Sequence, residues 1–178
     1  MMRTWKELFQ ADVVRNGGAD WGGAIYHFQK TLRKAHCCKN ELLLLYYKWR
    51  LKNYRMKYGL EIPPETEIGP GLYLGHPFNI TVNGHAVIGR NCNLHKGIVI
   101  GRANRGQRKG TPVIGNRVWI GINAAIVGGI KIGDDVLIAP NSYVNQDVPS
   151  HSVVFGNPCI IKPRDNATEG YINNIINE

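Results

Sequence analysis

The longest apolar run in this 178-residue chain, Leu42 to Tyr47, is far shorter than the roughly 20 residues needed for a bilayer-spanning helix. The opening segment, Met1 to Val14, contains Lys6, Glu7 and Asp12, so it lacks the apolar core of a secretory signal. Cysteine is scarce: Cys37, Cys38, Cys92 and Cys159 show neither a CxxC pair nor another metal-ligand spacing. They are expected to be free thiols in a reducing compartment, with no metal, and the cytoplasm is the expected location. Acidic residues are also short, 13 against 22 Lys and Arg, which leaves a net charge of +9. That excess points to an anionic partner: nucleic acid, a membrane surface or a phosphate-rich cofactor. The length suits one domain, or one domain with a short extension.

Glycine, with 21 residues, is abundant, while aromatics make up 9%, a balance that favours tight repeated turns over a globular helical fold. The chain carries an internal period of six. Ile62, Ile68, Leu74 and Ile80 form one register, and Val82, Ile88, Leu94 and Ile100 a second. Ile114, Ile120, Ile126, Ile132, Ile138 and Val144 form a third. All fourteen positions are aliphatic, and glycine follows directly at 69, 75, 89, 101, 115, 121 and 133. A six-residue unit fits a short flat strand plus a turn, and three units close one triangular coil. The expected fold is mainly β: a left-handed parallel β-helix of hexapeptide repeats over residues 60–147. An α-helical region over 1–59 precedes it, and a C-terminal cap and tail over 148–178 follow. A β-sandwich would instead show strict alternation and longer strands.

The period is broken twice. From Leu74 to Val82 the step is eight, which inserts two residues around His76 to Thr81. From Ile100 to Ile114 it is fourteen, through the polar, glycine-rich RANRGQRKGT, read as a loop over 102–112 thrown out from the coil. Insertions in solenoids tend to lie on the binding face. Before the repeats, helices are expected from Trp5 to Val14, Trp21 to Cys38 and Asn40 to Lys57. Thr4 and Glu7 should form a capping box, and Gly59 should close the third helix. Lys48, Arg50, Lys52, Arg55 and Lys57 make that helix basic. After Val144 prolines end the period, and the last dozen polar residues are expected to be mobile.

Three histidines lie among the repeats: His76, His85 and His95. A surface histidine usually has no role, but His76 falls inside the first break. Glu61 lies fifteen residues earlier, nearly one coil, from where a carboxylate can reach an imidazole. It would fix the tautomer and stabilise the imidazolium, leaving the other ring nitrogen as a base for a weakly nucleophilic hydroxyl.

The segment EIPPETEIGPGLYLGHPFNITVNGHAVIG resembles the start of the β-helix in bacterial serine acetyltransferases. That family has an Asp-Ile-His-Pro element fifteen residues before the histidine of a Leu-Asp-His-Ala-Thr-Gly element; EIPP and LGHPFN stand in their places here. The resemblance runs without gaps from Ile62 to about Pro163, including the fourteen-residue step and the closing GNPCIIK. FQADVVRN and YHFQKTLRKAH resemble the family's helical region more weakly. It implies His76 as catalytic base, Glu61 as the carboxylate that orients it, and acetyl-CoA as acetyl donor. Ile122, Ala139 and Pro140 would contact the pantetheine arm. Arg102, with Arg105, Arg108 and Lys109 on the loop, and Lys162 would bind the phosphates. Gly75, Thr111 and Asp20 stand at acceptor-facing positions.

The departures bear on the acceptor. The family's aspartate before the catalytic histidine is Gly75 here, and its Arg-His pair before Pro112 is Gly110-Thr111. Those family residues hold the charged groups of the amino acid. Their absence pushes towards a sugar or polysaccharide hydroxyl, kept as the alternative, whereas the length-wise resemblance and the helical N-terminal region pull towards L-serine. The acceptor is read as L-serine, which would place the chain in cysteine biosynthesis. A metal-dependent hydratase of the same fold needs two histidines five residues apart. None of His76, His85 and His95 has such a partner, since Thr81, Arg90 and Ile100 follow them. A non-catalytic scaffold or a nucleic-acid binder using the basic helix is the reading from another class. The resemblance also implies a homotrimer, with a hexamer open. Family members that dock onto the sulfhydrylase end in isoleucine, whereas this chain ends in Asn177-Glu178, so that complex is not expected.

Overall fold

A computed structural model describes residues 4–18 and 23–177. Three helices open the chain: α1 (Trp5–Arg15), α2 (Gly23–His36) and α3 (Glu41–Tyr58). Each end follows from local chemistry. Thr4 and Glu7 make the reciprocal capping box on α1. Asn40 accepts from Leu43 N at the start of α3, and Gly59, at φ +66°, closes it in the left-handed conformation.

From Leu60 the chain winds as a left-handed parallel β-helix. The first coil comprises β1 (Leu60–Glu61), β2 (Glu67–Ile68) and β3 (Tyr73–Gly75). The second comprises β4 (Ile80–Val82), β5 (Val87–Ile88) and β6 (Asn93–His95). The third and fourth coils are β7 (Val99–Gly101), β8 (Val113–Ile114), β9 (Val118–Ile120), and β10 (Ala125–Val127), β11 (Lys131–Ile132), β12 (Val136–Ile138). In the fifth, β13 (Tyr143–Val144) and β14 (Ser152–Phe155) continue the parallel ladders, and β15 (Ile160–Pro163) turns back antiparallel on β14. The strands stack into a first sheet β1-β4-β7-β10-β13, a second β2-β5-β8-β11 and a third β3-β6-β9-β12-β14-β15.

All fourteen aliphatic repeat positions point inward, none more than 7% exposed. Stacking them at strand spacing makes one continuous dry column, and the ladder hydrogen bonds satisfy the backbone between coils. Cys92 lies in that column, where burial pushes its thiol up to about 12; all four cysteines are free. Small residues at the corners are required sterically. A Cβ on Gly69 would sit 2.7 Å from Arg90 N of the next coil, and one on Gly121 would sit 2.6 Å from Pro140 N.

The helices dock on the first coil through a buried polar latch. Arg33 donates Nε to Asp12 Oδ2 at 2.8 Å and Nη2 to Oδ1 at 2.9 Å. It also donates Nη1 to Ile68 O and Nη2 to Gly69 O, both at 2.7 Å. Asp12 Oδ1 further accepts from Leu72 N at 2.8 Å and Gly71 N at 3.1 Å. Both side chains are fully desolvated, and the pair is tolerable because nearly every donor and lone pair is used.

The C-terminal segment departs from expectation. Rather than being mobile, residues 164–177 lie along the third sheet. Asp135 accepts from Ala167 N, Thr168 N and Thr168 Oγ1. Asn91 bonds both backbone groups of Ile176 at 3.1 Å, Asn93 donates to Tyr171 O, and Arg15 of α1 donates to Asn173 O. Ala167 and Ile172 are buried, and the Tyr171 ring meets Trp119 edge-on at 5.1 Å. Polarity misled here, because asparagines served as backbone clamps between a strap and a sheet.

Candidate active site

The corner that leads from the third sheet into the first is built from stacked pairs. Lys96-Gly97, Ile122-Asn123 and Pro140-Asn141 occupy successive coils. Gly97, Asn123 and Asn141 take the left-handed conformation that turns the chain, at φ +73°, +58° and +59°. Hydrogen bonds from Gly97 N to Phe78 O, Asn123 N to Lys96 O and Asn141 N to Ile122 O set the register. Phe78-Asn79 is therefore the first-coil member of this column, with Asn79 at φ +55°. Since Gly75 pairs with His95, the two extra residues of the eight-residue step are His76 and Pro77. They form a bulge at the head of the column, closed by a Phe78 N to His76 O hydrogen bond of 2.8 Å. His76 is exposed and itself at φ +49°, a conformation uncommon for a residue with a side chain.

Of the sequence-derived positions, His76, Gly75, Ile122, Ala139 and Pro140 fall on this one edge. Ile122 and Pro140 are column members, and Ala139 immediately precedes Pro140. Glu61 lies on β1, paired with Thr81, and its Oε1 faces Arg55 Nη1 of α3 at 3.2 Å. Among the described residues no hydrogen bond joins Glu61 to His76. The basic loop lies at the next corner, between the first and second sheets. Its ends are bridged by reciprocal Ala103–Gly110 backbone bonds of 3.0 Å, and Gly129 N donates to Arg108 O at 2.8 Å. Arg102, Arg105, Arg108 and Lys109 are exposed there. Thr111 Oγ1 donates to His85 O at 2.9 Å, so it ties the loop's exit to the coil beneath. Lys162 stands on β15, over the Phe155 ring at 5.9 Å. Asp20 lies outside the described residues. Within one chain, then, the imidazole and the loop cations occupy two different edges.

Two residues at the site escaped sequence reasoning. His95 lies flat in the space over Gly75: a Cβ on Gly75 would stand 2.5 Å from His95 Cε1 and closer still to Nδ1. The ring packs against Trp119 at 4.7 Å and Tyr73 at 6.1 Å. Burial, reinforced by the neighbouring His76, pushes its pKa down to about 4, so it is neutral at physiological pH. The second is Phe78, whose ring is 52% exposed and touches Tyr58 of α3 edge-on at 5.7 Å. Only the twenty-residue separation of Gly75 and His95, one coil apart, hinted at the first contact.

On α3, Lys48 pairs with Glu65 at 2.5 Å and Arg55 with Glu61. Leu42, Leu45, Trp49 and Met56 are interspersed and exposed. The basic side chains of α3 are thus mixed with ion pairs and exposed apolar groups. No group of three or more metal-ligating side chains occurs among the described residues, and none of the described helices is long and apolar enough to cross a membrane.

Residues 111–146 match the bacterial transferase hexapeptide family, described as six repeats. Within that class the chain is 35% identical over 136 residues to serine acetyltransferase 2 of Arabidopsis thaliana, an alignment spanning 75% of this chain and 41% of that protein. It is 36% identical over 112 residues to a serine acetyltransferase of Staphylococcus aureus, spanning 63% and 53%. Its fold matches soybean serine acetyltransferase apoenzyme with a TM-score of 0.76 at 27% identity, covering 89% of this chain and 69% of that one. It also matches the Neisseria gonorrhoeae enzyme in complex with serine, with a TM-score of 0.73 at 27% identity, covering 88% and 68%. By sequence and by fold the chain is similar to serine acetyltransferases. It spans about half, or less, of the length of these curated relatives.

Proposed function

We propose that this chain is an acetyl-CoA-dependent O-acetyltransferase in which His76 is the general base. The observation that carries this reading is the single edge on which the His76 bulge heads a column continued by Ile122 and Pro140. The imidazole takes the proton of an acceptor hydroxyl as its oxygen attacks the thioester carbonyl. The new C–O bond forms, the C–S bond breaks, and the imidazolium returns the proton to the leaving thiolate. General base catalysis of this kind is worth about 10²–10⁴-fold. The column of Ile122, Ala139 and Pro140 offers an extended, small-residue track for the pantetheine arm. Arg102 with the other loop cations, and Lys162, supply charge for the phosphates. Glu61 acts on His76 as its orienting carboxylate once it turns from Arg55. That exposed ion pair opposes the turn only weakly.

His76 and the loop cations lie on different edges of one coil stack, which supports a homotrimer whose sites are completed between copies; the cytoplasm is the location that goes with this reading. The relatives' names make L-serine the first acceptor to test, and acetylation of serine would set the reaction in cysteine biosynthesis. A second reading, a sugar hydroxyl, is favoured by the His95 ring filling the space beside Gly75, where a charge-pairing side chain would otherwise project. Thiol release from acetyl-CoA, measured with L-serine and with sugars, tests the proposal. Release must depend on an acceptor and fall at least a hundredfold in His76→Ala; acceptor-dependent release that survives the substitution refutes the base assignment.

A further inference from the structure

We infer that Phe78, together with the Gly75–His95 pair, forms an acceptor subsite beside His76 for an uncharged, polyhydroxylated ring, that is, a sugar. The inference rests on the transferase reading above and names its acceptor class.

Phe78 is the first observation. It heads a column whose other members are Lys96, Ile122 and Pro140, and it immediately follows the two-residue bulge that carries His76. A large aromatic left 52% exposed is held from behind by Tyr58 at 5.7 Å and by its own backbone bond to His76 O. Its position is held while about half of the residue stays exposed. An open aromatic face suits the C–H face of a pyranose, which gains dispersion contacts there while its hydroxyls stay in water or turn to the base.

Electrostatics is the second. An α-amino acid brings an ammonium and a carboxylate, and each requires a counter-charge or solvent on leaving water. At position 75 no side chain can grow, because the His95 ring fills the space. His95, packed between Tyr73 and Trp119, is a neutral wall. Glu61, the acid on the adjoining strand, pairs with Arg55 here and is committed to the His76 imidazole in the proposed mechanism, so it is not free for an ammonium. The cation on the column is Lys96, which suits a carboxylate but leaves an ammonium without a partner. A neutral ring needs neither.

Wild type, Phe78→Ala, Phe78→Trp and His76→Ala would be assayed for thiol release from acetyl-CoA. The acceptors are the methyl glycosides of glucose, galactose, mannose and N-acetylglucosamine, and separately L-serine, with mass spectrometry confirming the acetylated product. The expected result is His76-dependent acetylation of at least one glycoside and none of L-serine. Phe78→Ala should raise the glycoside KM about tenfold and leave the KM for acetyl-CoA unchanged, and Phe78→Trp should restore the glycoside KM. His76-dependent turnover of L-serine with every glycoside inert would overturn the inference and leave the transferase reading standing. Glycoside turnover whose KM is indifferent to Phe78→Ala would remove the subsite. The absence of His76-dependent release with every acceptor would overturn both.

Discussion

The two edges that border the first sheet are built on opposite principles. The edge entering that sheet is a near-perfect stack, Phe78, Lys96, Ile122 and Pro140, each followed by a residue in the left-handed conformation, and it is broken once by His76-Pro77. The edge leaving it carries the 102–112 loop, cationic and exposed, pinned by Gly129 and Thr111. A strand of three residues separates them, about 10 Å at 3.3 Å per residue. Regular stacking provides a rigid track against which one protruding imidazole is held. Insertion provides charge with little constraint. Neither edge alone holds both the exposed imidazole and the loop cations.

The most severe way to break this contrast is at the bulge. His76→Ala should lower kcat by about 10²–10⁴-fold and leave thermal stability near that of the wild type, since His76 is exposed; kcat and melting temperature, measured side by side, check this. On the other edge, replacing Arg102, Arg105, Arg108 and Lys109 together by Ala should raise the KM for acetyl-CoA by about tenfold to a hundredfold. That corresponds to losing charge-assisted hydrogen bonds worth about 1.5–3 kcal/mol, and kcat at saturating donor should hold. Mixing these two defective proteins after unfolding and refolding them together sharpens the comparison. Sites formed between copies should recover a readily measured fraction of wild-type activity, whereas sites formed within one chain would leave the mixture no better than its parents.

A smaller effect is expected at the strap, on the sheet opposite the loop. Burial pulls the Asp135 carboxyl upward, but hydrogen bonds from Thr168, His151 and the Thr168 and Ala167 backbone outweigh it and hold its pKa below the ordinary value. A carboxyl depressed in the folded state adds stability above about pH 4, and that stability is lost as pH falls through the folded value. Acid titration should therefore release residues 164–177 and change the Trp119 environment before the coils unfold. Asp135→Asn should weaken the strap already at neutral pH and flatten that transition, as read by tryptophan fluorescence.

Much of this was legible in the chain itself, and the reason is periodicity. A solenoid repeats one local rule, so Ile62 through Val144 report their own burial, and each deviation from six reports an insertion. The limits of α1 and α3 were readable within one residue because Thr4, Glu7, Asn40 and Gly59 are local caps, whereas the expected start of the second helix at Trp21 lies outside the described residues. The contents of the insertions were less readable: the eight-residue step marked His76 but could not say that Phe78 stays in the stack.

What the sequence by itself determined is the coil, its fourteen inward positions, the helical preface and the protrusion of His76. These depend on interactions within about a dozen residues or on a strict repeat of them. Tertiary structure alone decided which residues meet across coils and across the chain's ends. The His95 ring over Gly75, the Asp12–Arg33 latch and the strap clamped by Asn91 and Asp135 all join residues separated by twenty to eighty-five positions. Such contacts are set by how coils stack and helices dock, and no local pattern encodes them.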